Sequence, residues 1–198
     1  PCRKTILGDT FQSVNPYGSS TADMIQKVFT TGEIMKLCKS YRSTFEITSF
    51  AQKIQPNNEL EPIMRHGEHP RVLQFRNTEE EIQSLADLVS SFKSSHYTSL
   101  GIICKTESQA KELAQKLQPY TDCISLLSNQ SSTYIKGIII TSAHMAKGLE
   151  FDEVIIPQAD DKNYHSSTDK SMLYVAVTRA MHQLTLTYSG PLHICRFL

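Results

Sequence analysis

Four short segments of the chain place polar or charged side chains directly after apolar runs, the position at which open α/β sheets bind ligands. The first runs Ile6-Leu7-Gly8-Asp9-Thr10-Phe11-Gln12. A strand delivering Gly, Asp and, three residues on, an uncharged Gln could place an amide beside a phosphate or an attacking water. Taken alone, Asp and Gly as turn formers explain it at least as well. The second is Lys39-Ser40-Tyr41-Arg42-Ser43. Arg42 would present a guanidinium fork to a phosphate, with Ser43 capping a helix whose dipole adds to the attraction; a solvated Arg accounts for it equally. The third, residues 138–151, is an Ile-rich run ending in Thr141, Ser142 and His144, followed by Lys147-Gly148-Leu149-Glu150-Phe151. Hydroxyls and amides at a strand end suit a nucleic-acid phosphate, and Glu150 could accept from a ribose hydroxyl. The fourth is residues 172–180. Leu173, Ala176, Val177 and Ala180 form one helical face, and Arg179 lies about 110° from its centre, at the rim of the packed surface. An Arg there can partner a helix dipole or serve as an arginine finger.

These side chains need elements to position them. Short β-branched runs alternate with helical periodicity, the sequence form of an α/β fold in which a parallel sheet is flanked by helices. Strands are predicted at 5–7, 34–37, 72–75, 100–104, 123–127, 137–141, 153–156 and 183–188, and helices at 21–29, 43–54, 78–93, 107–117 and 169–180. The third helix carries the clearest signature: Thr78 and Glu81 read as a capping box, and Ile82, Leu85, Val89 and Phe92 share a face. The prolines and polar residues of 55–70 and of 158–169 read as loops. His66 and His69 are too few to hold a metal, so HGEH reads as solvated loop, and no metal ligand set is assigned. Glu79 to Glu81 read as a negative helix start explained by the dipole.

Composition excludes several classes. The chain has 198 residues with 20 Lys plus Arg against 20 Asp plus Glu, so it is not a uniformly basic nucleic-acid coat, although a local basic groove remains open. The apolar run at 137–140 is far too short to cross a membrane. Cys2, Cys38, Cys104, Cys123 and Cys195 form no CxxC pair and read as reduced thiols of a cytoplasmic protein. A chain that opens on Pro1 is expected to be an excised fragment.

Taken in order, the four segments resemble the later motifs of the UvrD/Rep/PcrA-type superfamily 1 helicases. Gly8, Asp9 and Gln12 look like motif III; Tyr41, Arg42 and Ser43 like motif IV; Ser142 to Phe151 like motif V; and Leu173 to Ala180 like motif VI. The resemblance implies a RecA-like second motor domain without its own phosphate loop, residues 33–198, preceded over 1–32 by the tail of the first RecA-like domain and a linker. It also implies site roles. Gln12, Arg42 and Arg179 would be catalytic, Gln12 at the γ-phosphate or its attacking water and the two arginines reaching the γ-phosphate. Asp9, Gly148 and Glu150 would border ATP. Tyr17, Thr141, Ser142 and His144 would face a nucleic-acid strand, Tyr17 by stacking.

The departures from the pattern matter as much. No GxxxxGK[ST] phosphate loop or acidic strand end for magnesium is present in the sequence, so ATP and Mg2+ would be bound mostly by the missing N-terminal domain. The fragment alone is expected to be inactive. Roughly 100 residues separate Arg42 from Ser142, a short interval that resembles a HelD-like branch. The expected function is therefore part of an ATP-dependent DNA helicase or translocase acting on single-stranded DNA or a duplex junction; the alternative is an ATP-driven RNA polymerase remodelling factor.

Overall fold

The structure, a computed structural model, describes residues 5–6, 22–35, 38–57, 59–128, 137–191 and 193–198. Its centre is a six-stranded sheet in which every pairing is parallel. In chain order the elements are α1 (Ala22–Val28), β1 (Lys39–Ser40), α2 (Phe45–Ile54), β2 (Glu61–Pro62), β3 (Arg71–Phe75), α3 (Thr78–Lys93), β4 (Leu100–Cys104), α4 (Glu107–Leu117), β5 (Ile124–Leu126), β6 (Ile138–Ser142), β7 (Phe151–Ile156), α5 (Ser167–Val177) and β8 (Ala180–Ser189). The strand order is β3-β8-β7-β4-β6-β5, with β1 and β2 forming a separate two-stranded parallel pair.

The α/β sheet expected from the sequence is therefore present, and its period-two pattern sorts the core into two clusters. Leu100, Ile102 and Cys104 of β4, Ile138 and Ile140 of β6, and Ile155 of β7 pack with Leu85, Val89 and Phe92 of α3 and Ala110 and Leu117 of α4. The intervening residues, Ile103, Ile139, Val154 and Ile156, pack with Ile47, Ala51 and Ile54 of α2 and Leu173, Ala176 and Val177 of α5. Both faces are covered, which is why β4 and β6 are buried at every residue.

Several local expectations move. The predicted strand at 34–37 is not formed at Ile34 and Met35, which are exposed, and residues 36–37 lie outside the described residues. The pairing occurs instead at Lys39–Ser40, with the Glu61–Pro62 strand inside the predicted loop. The first predicted strand is not seen at Thr5 and Ile6; Leu7 lies outside the described residues. The α2 cap is Thr44 rather than Ser43, whose hydroxyl is drawn to another strand, and the α3 cap is Asn77, one residue before Thr78. Glu81 stays in the first turn of α3, with Glu79 and Glu80, but does not close a capping box. It is buried, and its Oε1 accepts from Thr187 Oγ1 at 2.6 Å and from the Gln158 backbone N–H at 3.0 Å. The helix predicted at 169–180 starts earlier and stops at Val177, and the last strand begins at Ala180.

One close approach sets the spacing of the central strands. A Cβ added to Gly101 would lie 2.6–2.8 Å from three ring carbons of Phe151, which is fully buried at the start of β7. Gly101→Ala must therefore displace an immobilised ring, and overpacking of this kind costs about 1–3 kcal/mol. The expected outcome is a lower denaturation midpoint with an unchanged slope. An unchanged midpoint would mean that the ring yields freely.

Candidate functional site

The sequence candidates separate onto two opposite edges of the sheet. Thr141 and Ser142 end β6 at its carboxyl edge, opposite Ile103 and Cys104 of β4. Both are buried, and Thr141 Oγ1 donates to the Leu127 carbonyl at 3.0 Å. His144, two residues on, is exposed. The chain then turns: Ala146 N–H bonds Ser142 O, Lys147 N–H bonds His144 O, and Leu149 N–H bonds Ala146 O, at 2.9, 3.3 and 3.0 Å. Gly148 sits at φ +88°, a left-handed position that a side chain would strain. Glu150 emerges at the amino edge, immediately before β7.

Arg42 meets it there. Its Nε donates to Glu150 Oε1 at 2.5 Å, and both side chains remain partly exposed, at 34% and 45%. The expectation that all these groups lie beyond carboxyl strand ends thus holds for Ser142 and His144 after β6 and for Arg42 after β1, but not for Glu150, which precedes β7. The reason is connectivity: in a parallel sheet the chain leaving β6 has to return to the opposite edge before β7 can start.

The Arg42 loop is fixed by the beginning of β8. Ser43 Oγ donates to Ala180 O at 2.6 Å, and Thr44 N–H to Met181 O at 3.2 Å. Arg179 adjoins the same place. Its position is not a helical rim, because α5 has ended; the residue is 1% exposed. Nε donates to Val175 O at 3.0 Å, Nη1 to Leu149 O at 3.3 Å and Nη2 to Thr178 Oγ1 at 3.1 Å, while its own carbonyl accepts from Phe151 N–H at 3.0 Å. Arg179 therefore braces both residues flanking Glu150. Gln12, Asp9 and Tyr17 lie outside the described residues.

Sequence reading missed the contribution of the 63–69 segment, taken as solvated loop. Phe45 N–H donates to Arg65 O at 2.8 Å, and the Arg65 Nη2 donates to the carbonyls of Arg42 and Met181, the latter at 3.2 Å. His66 Nδ1 lies 2.7 Å from Glu46 Oε1, and Gly67 N–H donates to Glu46 Oε2 at 2.9 Å. The His66 contact first, and then the Gly67 amide, lower the Glu46 carboxyl to about 2. A Cβ on Gly67 would come within 2.7 Å of the Thr44 methyl, so glycine is required where this segment crosses the α2 start. The one signal in the sequence is a glycine between charged residues in a proline-flanked loop. Asp152 was also overlooked: its Oδ2 takes the backbone and side-chain donors of Thr98 and Ser99, tying β4 to β7 beside Glu150. Among the described residues, no group of three or more His, Cys, Asp or Glu side chains could hold a metal ion. No described helix is long and apolar enough to cross a membrane.

A parallel sheet covered on both faces, with a basic and acidic pair at its amino edge and a polar turn at its carboxyl edge, defines a RecA-like domain of the helicase type. The comparisons agree. The model of the UvrD-like helicase C-terminal domain matches residues 117–190. The C-terminal domain of a possible DNA helicase from Lactobacillus plantarum WCFS1 superposes with a TM-score of 0.67 at 30% identity, covering 80% of this chain and 91% of that one. DNA helicase II of Escherichia coli K12 and of Salmonella typhimurium LT2 are each 34% identical over 70 residues, 30% of this chain and 10% of theirs. The chain thus matches about a tenth of the length of these curated relatives. It belongs to the UvrD-like helicases, as a C-terminal domain of that family.

The helix that delivers Arg179 depends on one carboxylate. Asp169 accepts from the Ser166 and His165 backbone N–H groups and pairs with Lys105 at 2.6 Å, completing a capping box with Ser166. Burial alone would raise its pKa, yet the Lys105 contact and the cap hold it at about 2, below the ordinary 3.8. A depressed carboxyl stabilises above its unfolded pKa, so this contribution is complete above about pH 4 and is lost as pH falls towards about 2. Asp169→Asn is expected to cost on the order of 1–2 kcal/mol at neutral pH and to flatten the stability profile between about pH 4 and 2. Parallel profiles for the two proteins in urea titrations across that window would refute the assignment.

Proposed function

We propose that this domain, residues 33–198, supplies the second half of an interdomain ATP site in an ATP-dependent DNA helicase or translocase. Residues 1–32 would close the preceding RecA-like domain, which would contribute the phosphate loop absent from this sequence. The observation that carries the reading is the convergence of Arg42, Glu150 and the Arg179 brace at one edge, with all three on family motifs. The donor set fits a nucleotide: Arg42 is half-exposed with a planar fork suited to phosphate, and Glu150 suits a ribose hydroxyl. Bound ATP and Mg2+ would supply the phosphoanhydride and its charge neutralisation. Arg42 exchanges Glu150 for phosphate oxygens and so draws this domain towards the first; Gly148 lets the loop approach closely. Arg179 holds Leu149, and hence Glu150, in place, and a direct phosphate contact requires its guanidinium to leave those carbonyls. Gln12 and Asp9 would complete the site from the preceding segment.

The carboxyl edge is the proposed strand track. His144 is its exposed contact, whereas Thr141 and Ser142, being buried, shape the turn that presents it; Tyr17 would stack on a base. A second reading, an ATP-driven factor that displaces RNA polymerase, is favoured by one feature. The interval between Arg42 and Ser142 is occupied by β3, α3, β4, α4 and β5 of the same sheet, which leaves little chain there for a duplex-engaging insertion.

The test is the ATPase rate of the full-length protein with and without single-stranded DNA. We expect DNA to stimulate hydrolysis, His144→Ala to weaken that stimulation, and Arg42→Ala to lower turnover by about 10²-fold or more, given the 10³–10⁵ associated with arginine fingers. Hydrolysis indifferent to DNA would move the assignment to the polymerase-displacing reading, and full turnover in Arg42→Ala would remove Arg42 from the site.

A further inference from the structure

We infer that Arg65 is the positioning residue for Arg42, and that the 65–67 segment acts as a clamp setting the conformation of the Arg42 loop. The inference rests on the proposed role of Arg42 and deepens it.

Three independent contacts converge on the turn that precedes α2. The Arg65 guanidinium joins two carbonyls from distant segments, that of Arg42 itself and that of Met181 at the start of β8. Its backbone carbonyl accepts the first N–H of α2, at Phe45. The two residues that follow hold Glu46 in the first helical turn through the His66 ring and the Gly67 amide, and Gly67 has no Cβ because Thr44 fills that space. The loop is thus gripped from one side by β8, through Ser43 and Thr44, and from the other by this segment.

The chemistry explains why an arginine is needed. Both bonds leave Nη2, whose two N–H groups lie fixed in the guanidinium plane and so hold the two carbonyls at a set angle, whereas the donors of an ammonium rotate freely and are strongly hydrated. Bonding the Arg42 carbonyl fixes the peptide next to the Cα from which the Arg42 side chain projects. The fork is thereby aimed along the amino edge, and Nε is brought within 2.5 Å of Glu150. A group aligned before its ligand arrives spends less ordering entropy on binding. Arg65 is itself half-buried and turned towards main chain, so it is not a phosphate contact and acts through Arg42.

The experiment is a double-mutant cycle in the full-length protein with Arg65→Ala, Arg42→Ala and the pair, measuring Kd for a fluorescent ATP analogue, kcat and KM. Melting temperature and amide exchange over residues 41–47 are followed in each variant. Arg65→Ala should weaken nucleotide binding and lower kcat/KM by about tenfold and speed exchange at Thr44 and Phe45. In the Arg42→Ala background it should change neither Kd nor kcat/KM, because there is no side chain left to aim. Arg65→Lys should recover only part of the loss. If Arg65→Ala lowers kcat/KM by the same factor in both backgrounds, in step with melting temperature, its role is structural and the proposal fails. A strong Arg42→Ala effect with a silent Arg65→Ala overturns the clamp alone, whereas a silent Arg42→Ala overturns the ATP-site reading on which it rests.

Discussion

The structure depends most on the crossing from β6 to β7. These strands lie on either side of β4, so the chain leaving Ser142 at the carboxyl edge has residues 143–150 in which to pass β4 and re-enter at the amino edge. That path covers about 16 Å along the strands and about 10 Å across them, and part of the segment is spent in turns. Little slack remains. The crossing is therefore packed hard: Ala143 and Ala146 are fully buried, Gly148 takes a left-handed turn, and Phe151 lands on the space left by Gly101. Few residues therefore separate His144 at one edge from Glu150 at the other.

Arg179 is the second consequence. A buried guanidinium is tolerated when its donors find acceptors, and here those acceptors include the carbonyls of Val175 and Leu149. Its interior position ties the end of α5 to the end of the crossing, while the Phe151 amide returns the bond to its carbonyl. A residue just past the cap of α5 therefore bonds the residue at which the neighbouring strand begins. Removing the guanidinium would take its donor from the Leu149 carbonyl, while the Val175 carbonyl keeps the Thr178 hydroxyl, so a substitution here disturbs packing in a way that one at the half-exposed Arg42 does not.

Much of the fold was legible because two patterns carry it. Continuous apolar runs marked β4 and β6 as strands, and the helical spacing of Leu85, Val89 and Phe92 gave α3 and its inward face. Helix α4 was placed at its observed bounds. The losses came where capping chemistry or tertiary bonding outweighs pattern. Ser43 and Thr78 both looked like caps, but Ser43 serves Ala180 and the α3 cap falls to Asn77. Glu81 looked like a dipole partner, although a hydroxyl on β8 and an amide after β7 draw it into the interior. The helical rim inferred for Arg179 assumed three more residues of helix than the chain forms.

In the candidate site, sequence reading named charged residues and not the groups that hold them. Arg42, Glu150 and Arg179 stand in motifs whose residue types announce their chemistry. What holds them is mostly backbone: the carbonyls of Leu149, Ala180, Met181 and Arg42, at separations of 23 to 137 positions from the side chains that bond them. A carbonyl has no sequence signature, and neither does a loop selected to reach one. The amino edge consequently exists only once β7 and β8 are paired in register and α2 is docked against them. Ile103 of β4 and Ile139 of β6 pack on the same face as α2 and α5, so this corner shares its core with the centre of the sheet. The candidate site at the amino edge is therefore held by the same packing that stabilises the sheet.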